Sequence, residues 1–245
     1  MEVLQFEVSG ITAFFKSPCV NSSNGDMWFS FPHIHKVAVA GIVGALTGKG
    51  GYRGWEHGKA YPEFWEKFKD MGLAVVPSKP IFKRRMMDCT NTTGFANQMA
   101  KFGMGMIYKE QWLAGTKSDP LKWTLYIRND EDGYFNEIRD AVMGNNTVFM
   151  PYLGNNHHFC DIGNARIVPV RPAGGTHIDS LFIKKDGVVI EEPERRGKHT
   201  YIQYKAPEGL EEGTGLYSYG QFILTNRAVH GVDIYTDGRK AITFI

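Results

Sequence analysis

The chain has 245 residues, 42% apolar and 22% charged, which suits one large globular domain or a medium one with a small appendage. Its formal net charge of +2 does not by itself imply a polyanion as partner. Cys19, Cys89 and Cys160 form no C-x-x-C pair and fit reduced cytosolic thiols better than a disulfide framework.

In chain order, Leu4, Phe6 and Val8 alternate with Gln5 and Glu7, the period of a half-buried strand, and without a basic and apolar leader pattern no signal peptide is expected. A polar loop follows over residues 17–26. Residues 27–31 are aromatic and suit an extended segment. Pro32 then leads into a predicted helix over 33–47, ended by Gly48. Its apolar run, Val37 to Leu46, is about half of what a membrane span needs. A soluble cytoplasmic protein with no membrane contact is therefore expected. A second helix is predicted over 62–71, then a strand over 73–83 that Pro77 and Pro80 push to an edge or a bend. The alternation of 121–128 predicts a further strand, 133–143 a helix capped from Asp130–Asp132, and 147–153 a last strand.

That order is β-α-β-β-α-β, an α+β ferredoxin-like plan shared with single-strand RNA readers of the RRM type, with residues 85–120 inserted between the second and third strands. Past Gly163 short β-like runs and the turn pairs Asp186-Gly187 and Asp237-Gly238 predict a small antiparallel β appendage. The expected division is thus 1–163 and 164–245.

Charge is unevenly spread. Residues 77–128 carry nine Lys/Arg against three Asp/Glu, a local net of +6, so the remainder sums to −4. Five of the ten methionines, Met86, Met87, Met99, Met104 and Met106, lie in the same stretch. A concentrated positive field suits a nucleic-acid backbone, and adjacent flexible apolar side chains suit a contact surface. The triplet Lys83-Arg84-Arg85 stands at the junction of strand and insertion; as a bare charge run it reads equally well as a solvated face.

Other signals read as ordinary structure. Residues 44–50 resemble a phosphate-binding loop, but Val43 stands where the first Gly belongs and Gly50 where the hydroxyl residue belongs. His33, His35, His157, His158 and Cys160 lack the spacing of a closed zinc site, so no metal and no cofactor are expected.

Residues 9–18 (SGITAFFKSP), then Phe29-Ser-Phe-Pro32 leading into Val37–Gly44, resemble the opening of CRISPR-associated protein family five, the RAMP-type subunit of type I Cascade complexes. The similarity continues at Ile81-Phe-Lys-Arg-Arg85, Pro151–Asn156 and Phe159–Ile162, with type I-B the nearest subtype. The resemblance implies a ferredoxin-like core with a protruding β-hairpin thumb, here residues 85–120. It implies a non-catalytic subunit that caps the 5′ handle of the crRNA and docks on the backbone and large subunits, meeting target DNA only within the complex. It implies that Lys83, Arg84 and Arg85 contact phosphates at the thumb base, and that Lys16, Asn21, His33 and Lys36 line a handle pocket. Met86 and Met104 become candidate wedges between nucleotides. One branch of the family cuts precursor RNA, so metal-independent endoribonuclease activity is the alternative. Around Trp55, Tyr61 and Trp65 the chain departs from shorter relatives.

Overall fold

The computed structural model describes residues 1–18, 27–56, 58–91, 106–130, 133–193, 197 and 199–245. Its long strands are numbered here, and two-residue strands are named by their residues. β1 (Glu2–Gly10), β2 (Met27–Ser30), β3 (Leu73–Pro77), β4 (Lys83–Asn91), β5 (Met106–Ala114), β6 (Leu121–Arg128), β7 (Asp161–Pro169), β8 (Tyr201–Leu210) and β9 (Tyr217–Thr225) accompany three helices. These are α1 (Lys36–Thr47), α2 (Glu63–Phe68) and α3 (Tyr134–Met143).

The central sheet has the order β3-β6-β1-β7, antiparallel throughout. Leu4, Phe6 and Val8 point to one face and form one cluster with Val39, Val43 and Leu46 of α1 and with Phe135 and Ile138 of α3. Burying a side chain of this size contributes roughly 1.5–3 kcal/mol. α1 is apolar around most of its circumference because other elements cover it; α2 lies so near that a Cβ on Gly44 would come 2.7 Å from Phe64 Cβ. His35 caps α1 by accepting from the Ala38 amide, and Gly48, at φ 76°, closes it with a left-handed turn. The phosphate-loop look-alike is thus a helix C-terminus, with Lys49 paired to Glu137 at 2.6 Å.

The other face of the sheet is not the open platform that a half-buried strand implies. Val3, Ala74 and Tyr126 there pack with Val170 and Ile242, because C-terminal strands fold over them. Gln5 is buried on that face, donating to the Tyr126 hydroxyl (2.9 Å) and accepting from Arg166 Nε (2.6 Å).

Residues 147–153 form no strand. The amides of Val148 and Phe149 instead donate to the carbonyls of Leu46 and Ala45, acceptors that the last turn of α1 leaves unpaired. The fourth strand is β7, which runs straight through the boundary expected after Gly163 and pairs with β1 from Glu2 to Ser9. Beyond it, β8 and β9 form a hairpin, and Ala206, Leu210, Phe222 and Leu224 from that hairpin join the main core. Both parts of the chain therefore share one interior. Trp65 is buried within it, and Trp55 packs beside Gly215 in the turn between β8 and β9.

β4 and β5 make an antiparallel ladder running from Lys83 opposite Ala114 to Asn91 opposite Met106. β5 also pairs in parallel with β2, which pairs with Lys16–Ser17; Thr12–Ala13 pairs with the other end of β5. This second sheet is mixed, and it carries the insertion as a hairpin rooted beside β1. The α3 cap comes from Gly133, while Asp130 accepts from Arg128 and from the Tyr134 hydroxyl (2.9 Å). Among the described residues no helix is long and apolar enough to cross a membrane.

Candidate nucleic-acid interface

Ion pairing sorts the cations of the basic stretch. Lys79 pairs with Asp119, Lys109 with Asp88 (3.3 Å), Lys122 with Glu7 (3.3 Å) and Arg128 with Asp130. Lys83, Arg84, Arg85 and Lys117 have no carboxylate partner among the described residues, and all four are exposed. The uncompensated charge therefore gathers largely at the root of the hairpin.

Strand alternation then divides the triplet. Register partners share a face of a ladder, so Arg85 lies with Trp112, and Trp28 lies with Glu110 and hence also with Trp112. Lys83 belongs to the same face. Lys16, opposite Ser30, joins it with its Nζ 3.4 Å from the centroid of the Trp28 ring. One face thus holds Lys16, Trp28, Lys83, Arg85 and Trp112. The indole of Trp112 donates to Glu110 (2.6 Å), so that carboxylate is occupied within the sheet. Arg84 and Met86 point the opposite way; Arg84 donates to Gln111 Oε1 (3.0 Å), and Met86 is 42% exposed. Cations alternating with aromatic rings are what a single strand of nucleic acid needs, one for phosphates and the other for bases.

Two of the expected pocket residues have other duties. His33 is fully buried, 2.8 Å through Nε2 from the Pro80 carbonyl oxygen, while the Trp123 indole approaches its Nδ1 at 3.4 Å. A neutral ring that donates from Nε2 and accepts at Nδ1 satisfies both contacts. Burial pushes its pKa down to about 4, with the Pro80 bond opposing and nearby Arg84 adding to the shift. His33 cannot face a handle; it anchors the segment that leads into Lys83. Lys36 is half-buried and donates to the Ile245 carbonyl oxygen (3.2 Å), tying the start of α1 to the C-terminal segment, and desolvation lowers its pKa. Asn21 and Met104 lie outside the described residues.

Trp28 and Trp112 are the members that sequence reading missed. Their signal was present as aromatic residues in extended segments, but only the pairing register puts them beside Arg85. His158 supports Trp112 from below, with ring centroids 4.6 Å apart, and holds Thr12 Oγ1 at 2.7 Å. Burial lowers its pKa to about 4.

No protein-family model matches the chain, and no curated protein is similar to it. Solved structures do share its fold. A CRISPR protein from Archaeoglobus fulgidus is similar over 100% of this chain and 99% of its own, at 12% identity and a TM-score of 0.52. A chain of a CRISPR RNA-guided surveillance complex matches over 93% and 91%, at 12% identity and a TM-score of 0.51. A chain of a type III-B Cmr-beta complex bound to cognate target RNA matches over 92% and 85%, at 11% identity and a TM-score of 0.50. The chain has an α+β fold, with a central sheet, a mixed second sheet and packed helices, and it shares that fold with these solved chains.

Proposed function

We propose that this chain is a non-catalytic RNA-binding subunit of a crRNA-guided surveillance complex of type I, in the manner of family five. On this reading the β3-β6-β1-β7 sheet with α1 and α3 is a ferredoxin-like core, and the β4–β5 hairpin is its thumb. The subunit caps the 5′ handle of the crRNA, docks on backbone and large subunits, and leaves target sequence to base pairing.

The observation that carries the reading is the shared face of Lys16, Trp28, Lys83, Arg85 and Trp112, whose cations have no carboxylate partner among the described residues. The fold likeness to a chain of an RNA-guided complex supports it. Because the central sheet is covered on the face an RRM-type reader uses, this reading puts the RNA surface on the second sheet. His33, His35 and His158 are buried and held neutral, so they act as packing groups, His158 directly against Trp112.

The test is incubation of the pure protein with labelled repeat RNA in EDTA. Retention of intact RNA, lost on joint Lys83→Glu and Arg85→Glu substitution without unfolding, is the expected result. Specific cleavage assigns the endoribonuclease activity instead, and no binding by the native chain rejects the reading.

A further inference from the structure

A groove of about 550 Å³ runs along the outer face of α1. Its floor includes Gly41, where an added Cβ would meet no atom within 4 Å. Tyr52, Arg53, Phe149 and Tyr152 line it, and Lys16 also reaches it. No carboxylate lines it; Lys49, which does, is occupied by Glu137, whereas Lys16 and Arg53 have no ion pair among the described residues. Tyr52, Phe149 and Tyr152 are 48%, 55% and 46% exposed, so large aromatic surfaces stand open to solvent in a cationic setting.

From this arrangement we infer that the groove is a second RNA subsite, taking an unstacked nucleotide from the strand held at the hairpin. This rests on the RNA-binding reading above and extends it. Lys16 belongs to both places, over Trp28 on the second sheet and in the wall of the groove, so a backbone following that cation passes from one to the other. The base lies against the exposed rings, and its phosphate meets Arg53 and Lys16. Planar aromatic walls accept any base face, and an arginine beside them adds both charge and a stacking plane. The volume is that of a small-ligand site, matched to a nucleotide.

The test uses the full chain and a single-stranded RNA substituted with 5-iodouridine at successive positions, irradiated and mapped by mass spectrometry. Crosslinks to Tyr52, Phe149 or Tyr152 at one nucleotide are expected. Gly41→Leu fills the groove from its open floor without entering the core, and Tyr152→Ser removes a wall. Each should weaken binding about five- to hundredfold, the worth of one stacked base. An abasic nucleotide at the crosslinked position should cost the native protein the same and cost Gly41→Leu nothing more. If both variants keep native affinity while Lys83→Glu with Arg85→Glu loses it, RNA is held but not in this groove, and the inference falls alone. If crosslinks stay on the hairpin and the groove is protected only when a protein partner is added, the groove belongs to that partner and the inference is overturned. No RNA binding by the native chain removes both readings together.

Discussion

Lys16 sits with its Nζ 3.4 Å from the centroid of the Trp28 ring, a cation held by an indole where an acid would ordinarily hold it. At an exposed site such a contact is worth about 0.5–1 kcal/mol, too little to keep the charge from a phosphate. The pair therefore orients the ammonium while leaving its charge available. The strand pairing of Lys16–Ser17 with β2 fixes this geometry, and β2 in turn is fixed by β5 of the hairpin.

Lys16→Met should weaken RNA binding and flatten its dependence on salt. Removing one phosphate contact lowers the slope of log K against log salt by about 0.7 for a single strand. Fluorescence anisotropy across a salt series measures it, and an unchanged slope removes Lys16 from the contact set.

The division of the basic triplet predicts unequal effects. Lys83→Glu and Arg85→Glu should each weaken RNA binding by an order of magnitude or so at low salt, while Arg84→Glu, on the opposite face beside Gln111, should cost several-fold less. Equal losses at all three positions would show that RNA does not distinguish the faces.

Acid should destabilise the fold in a defined window. The pKa of His33 is lowered to about 4 and that of His35 to about 3, each from an ordinary 6.5, with burial the main cause. Unfolding exposes both rings, so between these values and 6.5 the unfolded chain binds more protons. Their stabilisation is complete above pH 6.5 and is lost as pH falls toward 4. At pH 5 each costs about 2 kcal/mol, lowering the melting temperature by on the order of 10 °C together. Thermal melts at pH 7.5 and 5.0 measure this, and coincident melts would contradict the buried neutral state of the two rings.

Gly154 lines the groove and packs tightly on the backbone of Phe14. It has φ +98°, and a Cβ there would stand 1.9 Å from the Phe14 carbonyl oxygen. Gly154→Ala should destabilise the protein by about 3 kcal/mol in denaturant melts, whereas Gly175→Ala, whose Cβ meets nothing, should stay within about 0.5 kcal/mol.

Much of the scaffold was legible because it rests on local pattern. The alternation of residues 121–128 gave β6 its full extent, and Gly48 and Gly144 marked the ends of α1 and α3. The run 147–153 misled because its apolar residues look like a strand, yet Val148, Phe149 and Met150 are 63%, 55% and 69% exposed and the segment caps a helix. The true fourth strand carries Gly163 and Asn164, poor strand formers, and owes its place to distant pairing with β1. At the site, the excess of positive charge was visible in sequence. Which cations acids neutralise, and which rings join the remainder, depended on a register between β2, β4 and β5 that no local pattern encodes. His33 reads as the first residue of a helix and proves to be an internal strut, because Pro80 and Trp123 come to it only in the folded chain.

Central to this account is a grip on RNA by the cationic and aromatic face at the base of the hairpin. Its most direct measurement is the affinity of the native chain and of the Lys83→Glu, Arg85→Glu double variant for single-stranded repeat RNA, each checked by circular dichroism for an intact fold. Salt-sensitive binding by the native chain, reduced at least a hundredfold in a folded variant, is the predicted result. Equal affinities in two folded proteins would contradict it.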